Sequence, residues 1–124
     1  MKTILGICGS ASEDSANALL LRQLSTLAPD HCKISVFEGL WRLPLYTPQL
    51  ESEGIPEQVK LLRKAVAAAD AVIISTPEYL HNIPAVLKNA LEWMTHSGEL
   101  AGKPVLPITY TPAPPRGEHA MRSL

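Results

Sequence analysis

Nine consecutive residues, Gly9-Ser10-Ala11-Ser12-Glu13-Asp14-Ser15-Ala16-Asn17, hold four side chains that can donate a hydrogen bond: Ser10, Ser12, Ser15 and Asn17. They follow the apolar run Thr3–Cys8 and open a stretch with Ala16, Leu19, Leu20, Leu24 and Leu27 at helical spacing. Free N–H groups and the positive end of the dipole collect at a helix start, so a polar loop there suits an anion, phosphate above all. The same residues also fit a plainer purpose, because Ser12, Asp14 or Ser15 could each cap the helix without a ligand. Gly6 and Gly9 do not extend to G-x-G-x-x-G, and no G-K-[ST] occurs, so neither a dinucleotide fingerprint nor a Walker loop is present. A thiol phosphatase would need an arginine beside Cys8, yet no basic residue stands between Lys2 and Arg22. Cys8 therefore reads as a small core residue.

A second constellation is Thr76-Pro77-Glu78-Tyr79-Leu80-His81-Asn82-Ile83-Pro84. An aromatic, an acid, an imidazole and an amide crowd into a loop between an apolar run and an amphipathic one. A planar polar ligand could be edged by backbone groups here and faced by Tyr79, since such sites pair apolar faces with a few placed polar groups. The plainer reading is a proline-bracketed loop whose tyrosine covers the core, with His81 solvated and Trp93 packed inside.

These loops need elements to hold them. Thr3–Cys8, Cys32–Phe37, Ala71–Ser75 and Lys103–Thr109 read as strands, the last weakened by Pro107. Helices are expected over Ser15–Leu27, from Pro56 with Val59, Leu62, Val66 and Ala69 facing in, and over Ile83–Thr95 with Val86, Leu87, Ala90, Leu91 and Met94 facing in. Gly39–Gly54 reads as a loop or an irregular excursion, and Arg116–Leu124 as the opening of a fourth helix. Strands joined by helix-length crossovers make a parallel sheet with helices on both faces. In such α/β sheets, ligands sit outside the carboxyl ends of the strands where strand order reverses. That places function in Gly9–Asn17, Thr76–Asn82 and Thr109–Gly117.

Composition narrows the classes. The chain has 124 residues, 46% hydrophobic, with 11 Lys+Arg against 12 Asp+Glu. One domain spanning 1–124 is expected, and the balanced charge gives no footprint for nucleic acid. No apolar run approaches the roughly 18 residues of a membrane span, and no export signal is evident. Two cysteines make neither a disulfide framework nor a metal site, which fits a reducing, cytoplasmic setting.

Two motifs agree with one family. G-S-x-x-x-x-S-x-N at Gly9, Ser10, Ser15 and Asn17, and T-P-E-Y-x-x-x-I-P-x-V-L-K-N-A-L-E-W from Thr76 to Trp93, resemble the phosphate loop and ring loop of the NAD(P)H-dependent FMN reductases. Pro44-Leu45-Tyr46 and Gly102-Lys103-Pro104-Val105 are similar to that family as well. The resemblance implies a flavodoxin-like, doubly wound parallel sheet of order 2-1-3-4. It implies bound FMN, NAD(P)H as co-substrate, and ping-pong transfer to a quinone, azo, chromate or free-flavin acceptor. It implies a homodimer or homotetramer. The cofactor-binding residues it implies are Ser10, Ser12, Ser15, Ala16, Asn17, Pro77, Glu78, Tyr79, Leu80, His81 and Thr111, with no essential side-chain acid or base because the flavin carries the chemistry.

The chain departs from the family at Ser12, where an arginine or lysine is common, at Leu80, where asparagine is usual, and at Gln49, where aspartate is common. Ala113-Pro114-Pro115-Arg116 replaces most of the glycines usual after the fourth strand. Arg116 is either a contact for the nicotinamide phosphate or an exposed loop arginine. Family members continue through a fifth strand and helix, so the domain is expected to be incomplete at its C-terminus. Two other readings stay open: a non-catalytic, flavodoxin-like relic or dimerising module, and an electron carrier.

Overall fold

The computed structural model describes residues 1–124. The apolar run at the start forms β1 (Lys2–Cys8), which pairs in parallel on both sides. β2 (Cys32–Phe37) lies on one side, from Lys2 opposite Cys32 to Ile7 opposite Phe37. β3 (Ala71–Thr76) lies on the other, from Ile4 opposite Ala71 to Cys8 opposite Ser75. β4 (Val105–Thr109) extends the sheet beyond β3, giving the order β2-β1-β3-β4. This is the flavodoxin-like arrangement the sequence led us to expect. Central strands covered on both faces carry apolar residues at successive positions, as in Leu5-Gly6-Ile7-Cys8 and Val72-Ile73-Ile74.

Each face of the sheet takes its own layer. One core cluster holds Leu5, Ile7, Val72 and Ile74 against α3 (Glu57–Ala68) and α4 (Ala85–Trp93). Val59, Leu62 and Val66 form the inner stripe of α3, as their spacing predicts, and none has measurable exposure. The other cluster is small: Cys8 and Ile73 beneath Ala18 and Leu21 of α1 (Ala16–Thr26). Gly6 permits that contact, because a Cβ there would stand 3.0 Å from Leu21 Cδ2. No helix is long and apolar enough to cross a membrane.

Two local expectations are corrected and a third is extended. The buried stripe of α1 is Asn17, Ala18 and Leu21, while Leu19 and Leu27 are 55% and 76% exposed. A polar residue carries part of that stripe, so apolar periodicity misplaced the inner face. The stretch 39–54 is not simply a loop: it holds a 3-10 turn at Leu40–Arg42 and the short helix α2 (Pro48–Glu53). Thr47 caps α2 through Oγ1, which accepts from Leu50 N at 3.0 Å, and Pro48 fits the first helical turn. Finally, α4 buries Asn89 and Trp93 besides its apolar face. Their side chains donate to Pro44 O at 3.0 and 2.7 Å, and Tyr46 N donates to Asn89 Oδ1 at 2.8 Å, so α4 pins the 44–46 segment.

Pro107 is tolerated for a geometric reason. Tyr110 N donates to Thr76 O, so alternate residues 106, 108 and 110 address β3. The missing N–H of Pro107 therefore faces the open edge, where it breaks no ladder bond. The chain ends in α5 (Glu118–Ser123), a helix where one was expected to begin.

Candidate cofactor-binding cleft

The first loop leaves β1 at Gly9, whose N–H donates to Ser75 O at 2.8 Å. Ser10 is buried, and its Oγ accepts from Ser12 N at 3.1 Å, folding the loop back on itself. Of the three cap candidates, Ser15 is the one used: its Oγ accepts from Ala18 N at 3.0 Å. Asn17 is buried, with Oδ1 accepting from Ser75 Oγ at 2.7 Å and Nδ2 donating to Tyr110 O at 3.3 Å. One side chain thus ties the first turn of α1 to the end of β3 and to the residue that follows β4. The backbone amides of Ala16 and Asn17 find no acceptor in the chain, and they open the first turn of α1.

The second loop turns back sharply. Tyr79 N donates to Asn82 O at 2.9 Å, and Asn82 N to Tyr79 O at 3.0 Å. Leu80 and His81 between them have φ of 51° and 59°, the φ pattern of a type I′ turn. Such turns favour Asn-Gly; a leucine held left-handed costs roughly 1–2 kcal/mol. Leu80 is also fully exposed. Leu80→Asn is therefore expected to raise stability by about 0.5–1 kcal/mol. Urea unfolding checks this, and a Leu80→Asn midpoint at or below wild type contradicts it.

Glu78 is buried at 4% exposure. Its Oε1 accepts from Ala120 N at 2.9 Å, and the amides of Gly117 and His119 also point to the carboxylate. The Ala120 bond first, then those amides, hold the carboxyl below its ordinary range against the opposing effect of burial. A carboxyl depressed in the folded state contributes stability above its unfolded pKa of about 4.3, and loses it as pH falls through the folded value. Hence α5 should undock in acid, as pH falls through and below the ordinary carboxylate range. Glu78→Gln should flatten, not abolish, the acid dependence of stability, since Glu51 and Asp70 are lowered too, by Arg63 and by the Thr3 amide first. Thermal melts across the acid range compare the two proteins; superimposable profiles refute the assignment.

These loops enclose a cleft of about 280 Å³. It brings together Ser10, Ser12, Ser15, Ala16, Asn17, Pro77, Glu78, Tyr79 and Thr111 of the residues singled out from the sequence. It does not include Leu80 or His81. Leu80 stands at the tip of the turn, and the His81 ring stacks on His119 with centroids 4.5 Å apart. Both lie outside because the turn carries them past the wall that Tyr79 forms. Tyr110 and Pro112 line the cleft too; they fall in the 109–117 segment that the sequence points to, though it does not single them out. Their position directly after β4 was the available signal. Arg116 lines it as well.

A wider hollow of about 450 Å³ lies beside the first loop, lined by Glu13, Asp14, Arg22, Glu38, Gly39, Trp41 and Arg42. It is mostly charged, and its Arg22 is already paired with Glu38. Glu13 and Asp14 face this hollow and not the cleft. The cleft itself suits a phosphorylated planar ligand. Hydroxyls and unbonded amides at the start of α1 suit a phosphate, and the half-exposed rings of Tyr79 and Tyr110 suit a flat ring system.

The profile of the family described as NADPH-dependent FMN reductase matches residues 2–124. The chain is 35% identical over 106 residues to a quinone reductase of Escherichia coli strain K12, covering 83% of this chain and 56% of that protein. It is 39% identical over 103 residues to the NADH:(hydroxy)cinnamate reductase subunit CrdA of Vibrio ruber, covering 82% and 50%. Among solved structures, a flavoenzyme NAD(P)H:(acceptor) oxidoreductase from Paracoccus denitrificans superimposes with a TM-score of 0.78 at 31% identity, covering 88% of this chain and 60% of that one. The chain thus spans about half to two thirds of the length of the relatives it matches.

Proposed function

The chain belongs to the family of NADPH-dependent FMN reductases, and from that premise we propose that its cleft binds FMN and that the protein passes electrons from NAD(P)H to a small acceptor such as a quinone. The observation that carries this reading is that the phosphate-suited loop and the ring-suited loop line one cleft at the carboxyl edge of the sheet.

In this reading Ser10, Ser12 and Ser15, with the amides of Ala16 and Asn17, hold the phosphate. Asn17 acts mainly by fixing the loops, since its side chain is already bonded to Ser75 and Tyr110. The backbone of Pro77–Tyr79 and the Tyr79 ring border the isoalloxazine, and Thr111 closes the side next to β4. The flavin, when bound, supplies hydride acceptance and release. The chain supplies no free carboxylate or imidazole for proton transfer there. Glu78 is bonded to α5, and His81 lies outside the cleft. A donor that leaves before the acceptor enters, a ping-pong order, follows from one open cleft serving both.

The test is NAD(P)H consumption with excess FMN and a quinone, followed by absorbance. Turnover above the free-flavin background supports the proposal. Background rates with bound FMN favour the alternative of a non-catalytic, flavodoxin-like module, for which the absence of any cation in the phosphate loop is the motivating observation.

A further inference from the structure

One residue of the cleft has a charge and no partner to neutralise it. Arg116 is the only cation among the residues that line the cleft. It takes part in no salt bridge in the chain. Its one side-chain hydrogen bond is long, from Nη2 to Glu78 O at 3.4 Å. The carboxylate of Glu78, the nearest acid on the cleft wall, accepts from the amides that open α5 instead. The backbone beneath Arg116 is fixed: its N–H donates to Ala113 O at 3.1 Å, and Thr111 Oγ1 donates to its carbonyl at 2.9 Å. The next residue, Gly117, has φ of 110°, and a Cβ there would stand 2.8 Å from Thr109 Oγ1. The stem is therefore anchored while most of the guanidinium's five donors stay free.

Its location decides which charge it meets. The bond to Glu78 O puts the guanidinium on the ring-loop wall, and not on the loop of Ser10, Ser12 and Ser15. A hydride brings two electrons and one proton, so it leaves one extra negative charge in the cleft until a second proton arrives. No free acid in the cleft wall supplies that proton. Building on the FMN reading above, we propose that Arg116 is the cation that stabilises this charge at the ring, and so sets the reduction potential of the bound flavin.

The experiment measures the midpoint potential of bound FMN, and the dissociation constants of FMN and riboflavin, for wild type, Arg116→Gln, Arg116→Met and Arg116→Lys. Removing the charge should weaken the hold on reduced FMN about tenfold relative to oxidised FMN, lowering the midpoint by about 30 mV. Arg116→Lys should recover most of that shift, and the ratio of FMN to riboflavin affinity should stay constant across the series. An unchanged midpoint in Arg116→Gln and Arg116→Met overturns the proposal. So does a loss confined to FMN with riboflavin unaffected, which would put the guanidinium on the phosphate. A wild-type protein that binds no flavin overturns the functional reading as well, so the two failures are distinguishable.

Discussion

Gly9→Ala is expected to destabilise the protein by about 1–3 kcal/mol and to weaken FMN binding about tenfold or more. The reason is space rather than backbone freedom. A Cβ at position 9 would stand 2.8 Å from Thr76 Oγ1, 2.9 Å from Thr76 Cβ and 3.0 Å from Leu87 Cδ2. Neither neighbour can yield cheaply, because Thr76 and Leu87 are both fully buried. Relief must come from the first loop, which would lift away from β3 and stretch the bond from Gly9 N to Ser75 O. That movement opens the phosphate end of the cleft. Melting curves and a flavin titration measure the two effects. A variant with wild-type melting and wild-type affinity would mean that the loop is not held by this contact.

Asn17→Ala is the second large effect, expected at about 1–3 kcal/mol of stability. Its side chain is 3% exposed, and it accepts from Ser75 Oγ at 2.7 Å in a fully buried pair. Truncation leaves the Ser75 hydroxyl without an acceptor and frees the loop after β4 from the start of α1. Ser75→Ala alone should cost less, because Asn17 keeps its bond to Tyr110 O. The double variant should cost less than the sum of the singles, since it removes the orphaned hydroxyl together with its partner. Denaturant unfolding of the four proteins tests this; strict additivity would deny the coupling. FMN affinity should fall in Asn17→Ala because Oδ1 and Nδ2 hold the cleft's segments together through Ser75 and Tyr110.

The parts of the fold that burial alone determines were readable in the sequence. β1 and β3 are covered on both faces, and their unbroken apolar runs declare it. The inner face of α3 follows helical period because Val59, Leu62 and Val66 are all apolar. The order 2-1-3-4 is what the family resemblance implies, since parallel crossovers alone leave several orders open, and it puts the loops at the carboxyl edge. What escaped the sequence is where polar groups do the burying or the bonding. Asn17 lies on the inner stripe of α1, so the stripe could not be found by apolar spacing. The Glu78 carboxylate points to α5, about 40 residues away in sequence, and no local pattern announces that. Leu80 and His81 leave the cleft because the turn bends through positive φ, a conformation that a leucine does not advertise. Of the site, then, its placement was legible, and the aim of individual side chains was not.

The central claim is that the two loops grip a phosphorylated flavin. Equilibrium titration of the chain with FMN and with riboflavin, read by quenching of flavin fluorescence, tests it most directly. The account predicts that FMN binds at least about tenfold more tightly than riboflavin, since hydrogen bonds to a charged phosphate contribute about 1.5–3 kcal/mol each. Equal affinity for the two flavins, or no quenching by either, would contradict it.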